Sequence, residues 1–165
     1  MKKLMFNLFL LGLTTQVYAQ NPETFSAVYI VHNYKYLSDV NSKEVAMPVE
    51  ELHLKVSDFN VKELDIYADE YDLYDVYFVI PEGKILASYD KDSNLLRTIE
   101  RYKNINLPSS VFESVAKKFP NWSISKNAYL VNYHNSGKIK KLYKLTLENG
   151  NKRIKIKVND NGDFQ

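Results

Sequence analysis

The chain has 165 residues, with 22 lysines and arginines against 20 aspartates and glutamates, and no cysteine. Without cysteine there is no thiol catalysis, no disulfide stapling and no acylation site of the kind a bacterial lipoprotein carries after its signal. The near balance of charge removes the bulk attraction to phosphates on which nucleic-acid binding rests, and the length suits one domain, or two small units sharing a core.

The N-terminus reads MKKLMFNLFLLGLTTQVYAQ: Lys2 and Lys3, an apolar run from Leu4 to Leu13, a polar stretch, then Val17-Tyr18-Ala19. This is the order of a secretory signal cut after Ala19. The run is too short for a bilayer, which takes roughly 20 apolar residues. Removing residues 1–19 takes two lysines away and leaves the remaining basic residues equal in number to the acidic ones. The expectation is a free protein, periplasmic or secreted, with no stable membrane anchor. Residues 20–42, with the apolar run Phe25 to Val31, read as a leader or a first strand.

In MPVEELHLKVSDF, Val49, Leu52, Val56 and Phe59 share one helical stripe and Pro48 suits the first turn. In LPSSVFESVAKKF, Phe112, Val115, Ala116 and Phe119 form the corresponding stripe, Ser110 and Glu113 have capping-box spacing, and Pro120 forbids continuation. At an offset of 60, Leu52 falls on Phe112, Val56 on Ala116 and Phe59 on Phe119, which reads as an internal repeat. Strands are predicted at LYDVYFVI (73–80), KILASYD (84–90) and LLRTIERY (95–102), then at NAYLVNYH (127–134), KKLYKLTL (140–147) and KRIKIKV (152–158). Asn149-Gly150 is a hairpin signal that asks for positive φ at both central residues. The expected fold is α+β: two tandem units, each a helix followed by an antiparallel meander, with the helices packed on one face of the sheet. The first unit covers 43–104 and the second 105–165.

With these features, the FPNW after the second helix, and the phrases EGKILASYDKDSNLLRTIERYKN and LVNYHNSGKIKKLYKLTLENGNKRIKIKV, the chain resembles the small exported PepSY-like proteins of Bacteroidetes-type bacteria. These are grouped with the β-lactamase-inhibitor-protein fold, and the resemblance covers about residues 43–165. It implies tandem helix-plus-sheet repeats outside the cytoplasm and a role in binding or inhibiting other proteins, notably proteases, with no catalytic residues to carry over. Some relatives of that family carry a nicotinate-nucleotide adenylyltransferase label. Such an enzyme needs a His-x-Gly-His phosphate site, whereas His32, His53 and His134 are isolated and none is followed by Gly-His.

Other chemistry finds little footing. Asp90-Lys91-Asp92-Ser93-Asn94 begins like a calcium loop, but the sixth and twelfth places hold Leu95 and Arg101, so it reads as a polar turn; Asn159-Asp160-Asn161-Gly162-Asp163 ends the second unit in the same way. No two histidines share a helix face, and no Gly-x-Ser-x-Gly elbow occurs. No metal or cofactor is expected. The acids Asp65, Asp69, Asp72 and Asp75 leave a small carboxylate-dependent hydrolase as one alternative, provided a deep cleft holds at least two of them. A purely structural envelope role is the other.

Charge is segregated along the chain. Residues 43–75 carry ten acids against three lysines, and residues 138–157 carry eight bases against Glu148 alone. Alternation in KRIKIKV puts Arg153, Lys155 and Lys157 opposite Ile154, Ile156 and Val158, and in the preceding strand it puts Lys140 and Lys144 opposite Tyr143, Leu145 and Leu147. Tyr129 and Tyr133 share one face of their strand, and alternation leaves open which. If that face is the outer one, Tyr129, Tyr133, Lys140, Lys144, Arg153, Lys155 and Lys157 form a surface for an unknown protein or anionic ligand. The reading is a non-enzymatic exported binding module that regulates or inhibits a partner through an open sheet face.

Overall fold

The computed structural model describes residues 33–41 and 44–165. The predicted signal segment 1–19, the apolar run Phe25 to Val31 and His32 lie outside the described residues. Where the predicted leader is described it is helical: α1 spans Tyr34–Val40 and buries Tyr36, Leu37 and Val40. Asn33 fastens its start, since the side chain donates to the carbonyls of Ser57 and Ser93 and accepts from the Leu95 amide at 2.8 Å.

Helix α2, Met47–Ser57, begins with Pro48 in its first turn and buries Val49, Leu52 and Val56 as its stripe requires. Helix α3, Ser109–Lys118, is rotated from expectation. Val111 and Val115 are buried, while Phe112 is 58% exposed and Ala116 is also exposed. The cause is the C-terminal tail, which packs on the neighbouring side of the helix. Gly162 lies so close that a Cβ there would overlap the Ser114 hydroxyl and the Ser110 carbonyl, and its φ of 91° suits glycine. Ser110 Oγ donates to the Asp160 carbonyl at 2.9 Å, so it does not close the expected capping box; the Glu44 carboxylate accepts from the Ser109 amide instead. By burial, the counterparts of Leu52 and Val56 are therefore Val111 and Val115, one residue before the positions given by an offset of 60.

The strands are β1 Leu73–Ile80, β2 Gly83–Asp90, β3 Leu95–Lys103, β4 Ser123–His134, β5 Lys138–Asn149 and β6 Lys152–Val158. They form one antiparallel open sheet in the order β1-β2-β3-β4-β5-β6. The fold is α+β, and the two meanders are one sheet, joined where β3 pairs with β4 from Arg97↔His134 to Lys103↔Ala128. Between Asn149 and Lys152, Gly150 has φ 56° whereas Asn151 is not among the positive-φ residues. The hairpin thus needs positive φ at its first central residue only, as a type II′ turn does.

Two turns match atom for atom. Asp90 Oδ1 accepts from the amides of Asp92 and Asn94, and the Asp90 amide donates to the Asn94 carbonyl. Asn159 Oδ1 accepts from the amides of Asn161 and Asp163, and its amide donates to the Asp163 carbonyl. Ser93 and Gly162 hold the equivalent positive φ, 65° and 91°.

One face of the sheet carries α1 and α2. Tyr36 meets Tyr133 edge-on at 5.1 Å, and the Tyr89 hydroxyl donates to the Val56 carbonyl at 2.6 Å. Along the middle of this face Tyr102, Tyr129 and Tyr143 stack across three strands, with ring centroids 6.0 and 4.4 Å apart. Val111 and Val115 belong to the same continuous core.

Candidate functional site

Strand alternation assigns every second residue to the opposite, helix-free face, and the register sets them in cross-strand rows. One row runs Lys103–Ala128–Lys144–Lys157. The next runs Lys126–Thr146–Lys155, after a bulge in β4 between Ile124 and Lys126. On the other side Arg101 pairs with Leu130, and Leu130 with Leu142. Ala128 sits at the crossing of these rows. Its methyl leaves room that a longer side chain would fill, and the result is a hollow of about 530 Å³ lined by Arg101, Lys103, Lys126, Lys144, Lys155 and Lys157.

No acidic side chain lines this hollow, and none of the six cations joins an ion pair among the described residues. Lys144 and Lys157 are direct cross-strand partners, an arrangement of like charges that weakens a sheet. The hollow presents ammonium, guanidinium and the Thr146 hydroxyl, donors that suit an anion whose charge relieves that repulsion. Its lining contains no carboxylate or imidazole to move a proton.

Of the residues predicted from sequence, Lys144, Lys155 and Lys157 line the hollow. Lys140 lies on the same open face beyond it, opposite Asn132. Arg153 is also exposed but engaged, with Nη2 and Nε at 2.7 and 2.8 Å from Glu148 Oε1. Tyr129 and Tyr133 belong to the other face. They are 2% and 4% exposed, because α1 and the neighbouring strands cover that side, so neither can touch a partner on the open face. Asp65, Asp69, Asp72 and Asp75 are all exposed, against the deep cleft that a carboxylate hydrolase requires. Asp69 accepts from the Tyr67 hydroxyl, and Asp75 from Ser88, whose Oγ also accepts from Arg97 Nε.

The sequence reading missed two groups. Arg101, Lys103 and Lys126 come from β3 and β4, and only the register brings them beside the β5 and β6 lysines. The alternation Arg97, Ile99, Arg101, Lys103 was the available signal. The second group is buried: Glu100, 1% exposed, receives Tyr36 Oη at 2.8 Å and Thr98 Oγ1 at 2.7 Å on Oε1, and His53 Nε2 at 2.7 Å and Tyr102 Oη at 3.0 Å on Oε2. Each of its two oxygens thus has two hydrogen-bond partners. His53, read from sequence as a flank residue, is fully buried and reaches Asn41 Oδ1 through Nδ1 at 3.2 Å. With no exposed atom for a substrate, this cluster clasps α1 and α2 to the sheet. The chain matches no protein-family model and no curated protein.

Proposed function

We propose that this chain is a non-enzymatic binding module that holds an anionic protein or ligand in the hollow around Ala128. The observation that carries this reading is the set of six cations, with no acid among them, on the one sheet face that no helix covers. Natural sequences seldom leave like charges opposed without compensation, because the repulsion lowers stability; a bound anion is what such an arrangement awaits. The module is exported, to the periplasm or beyond, after removal of residues 1–19, a reading supported by the Lys2-Lys3 start and the short apolar run.

The chain is built from two tandem PepSY-like units. Support comes from the matched turns at 90–94 and 159–163, each closing a β-hairpin strand and each tucked beneath its own helix region: Ser93 Oγ accepts from the Val61 amide just after α2, and Gly162 lies against α3. The turns are 69 positions apart and the buried helix residues 59. Between its helix and the matched turn the second unit carries the additional strand β4, where the first unit has a 3₁₀ turn at Val61–Glu63 and irregular backbone leading to β1.

Calorimetry with a panel of anions tests the function: phosphate, polyglutamate and a polysulfated glycan, at low and raised salt, on the protein and on the Lys103→Glu/Lys144→Glu double variant. Saturable binding that weakens with salt and is lost in the variant is the expected result. Absence of saturable binding by every anion overturns the reading.

A further inference from the structure

Beside the hollow, the open face carries an apolar band one residue wide on each strand, bordered by Arg97, Asn132 and Lys140, with Lys84 Nζ 5.7 Å from the centroid of the Tyr77 ring. Leu142 pairs with Leu130, Ile99 lies diagonally from Leu130 and pairs with Leu86, and Leu86 pairs with Tyr77. Ile99 is 53% and Tyr77 62% exposed, and Leu86, Leu130 and Leu142 are half-buried. At about 4.8 Å per strand the band runs roughly 20 Å from β5 to β1. It meets the hollow along a line: on β3 Arg101 gives way to Ile99, on β4 Ala128 to Leu130, and on β5 Lys144 to Leu142. Contiguous apolar surface of this kind marks a binding surface.

We propose that hollow and band together take a single phosphate-headed lipid, with the headgroup among the cations and an acyl chain along Leu130, Ile99, Leu86 and Tyr77. This rests on the anion-binding reading and goes beyond it in naming the ligand class. A wholly hydrophilic anion leaves the band bare, and a neutral apolar partner leaves the cations unneutralised. Only an anionic amphiphile satisfies both sides of the line. Five of the six cations are lysines, compact point charges with no planar fork. Lysine suits a tetrahedral phosphate and is depleted in the cores of protein–protein interfaces, where arginine is enriched. The concavity around Ala128, with cations on three sides of it, suits an enclosed headgroup better than a flat bilayer surface.

The test compares three probes by calorimetry: short-chain phosphatidic acid below its micelle concentration, glycerol 3-phosphate, and short-chain phosphatidylcholine. Flotation with phosphatidic acid vesicles is run alongside. The expected result is one-to-one binding of the phosphatidic acid, about tenfold or more tighter than glycerol 3-phosphate, since a few buried methylenes supply that factor. Ile99→Ser, which removes apolar surface without adding charge, lowers the lipid affinity toward that of glycerol 3-phosphate and leaves the latter unchanged, which also shows that the variant is folded; Lys144→Glu weakens both. Equal affinity for lipid and headgroup, with Ile99→Ser silent, overturns the lipid assignment and leaves the anion-binding function standing. Equal binding of phosphatidylcholine, or binding to vesicles without binding of the soluble lipid, overturns it too. If neither glycerol 3-phosphate nor any other anion binds, the function itself falls with it.

Discussion

Glu100 and Arg101 are neighbours in β3 and face opposite sides of one sheet. Glu100, on the helix-covered side, is out of contact with water and receives four donors, two of them from α1 and α2. Arg101, on the open side, lines a hollow with five lysines and takes part in no ion pair among the described residues. The inner face thus gives its buried carboxylate fixed partners, and the open face gathers like charges and leaves them to water. The contrast separates structure from function. Saturated polar groups hold helices in place, whereas unsatisfied ones are available to a ligand.

The contrast can be broken most directly at Glu100. Glu100→Ala leaves His53 and three hydroxyls with nothing to donate to, and the expected loss is about 3–5 kcal/mol in urea unfolding. A loss below about 1 kcal/mol would mean that the clasp is not what seats α1 and α2. Two tyrosines make the next comparison. Tyr129→Ala removes the middle ring of the inner stack and is expected to destabilise by about 3 kcal/mol or more. Tyr77→Ala on the open face stays within about 0.5 kcal/mol. Similar values for the two would erase the distinction between faces.

Alkaline titration reads the same distinction. Burial pushes Tyr36, Tyr89, Tyr102, Tyr129 and Tyr143 well above the ordinary tyrosine range, with Glu100 adding to the effect on Tyr36 and Tyr102. A group whose folded pKa is raised contributes its full stability below the unfolded value, about 10 for tyrosine, and loses it as pH climbs through the folded value. Stability should therefore fall from about pH 10 upward, with the buried rings forming tyrosinate only as circular dichroism is lost. Their ionisation in a protein that stays folded would show that water reaches the inner face. The smallest effect is expected on the open side: Lys157→Thr relieves its opposition to Lys144 and raises stability by less than about 1 kcal/mol at low salt. The gain should vanish as salt is added, and a loss of stability instead would mean that the lysine stem packs more than its charge repels.

The sequence carried the elements well because their signals are local. Alternation in LYDVYFVI and KRIKIKV matches β1 and β6 residue for residue, and the stripe of α2 is buried as spaced. The stripe of α3 turned by one residue because its setting depends on a tail that approaches from the end of the chain, and a helical period is blind to which flank a distant glycine will press on. Glu100 was hidden for a similar reason: in LLRTIERY a glutamate between Thr98 and Tyr102 looks like a solvent-facing residue, and it becomes a core residue only when Tyr36 and His53 arrive from two helices. Half of the site was legible, in Lys144, Lys155 and Lys157, because β5 and β6 are adjacent in sequence and joined by a two-residue turn.

What the sequence determined by itself was therefore the local grammar: where strands and helices form, which turns close them, and that the last two strands carry lysine opposite their apolar side. The tertiary structure decided which face the helices cover, which sent Tyr129 and Tyr133 inward. It also decided that Lys103 and Lys126 join Lys144 and Lys157 around Ala128. Alternation has a period of two and says only that neighbours point apart. Which side becomes the core, and which distant side chains meet on the other, follows from cross-strand register and helix docking, and these are settled only when the whole sheet assembles.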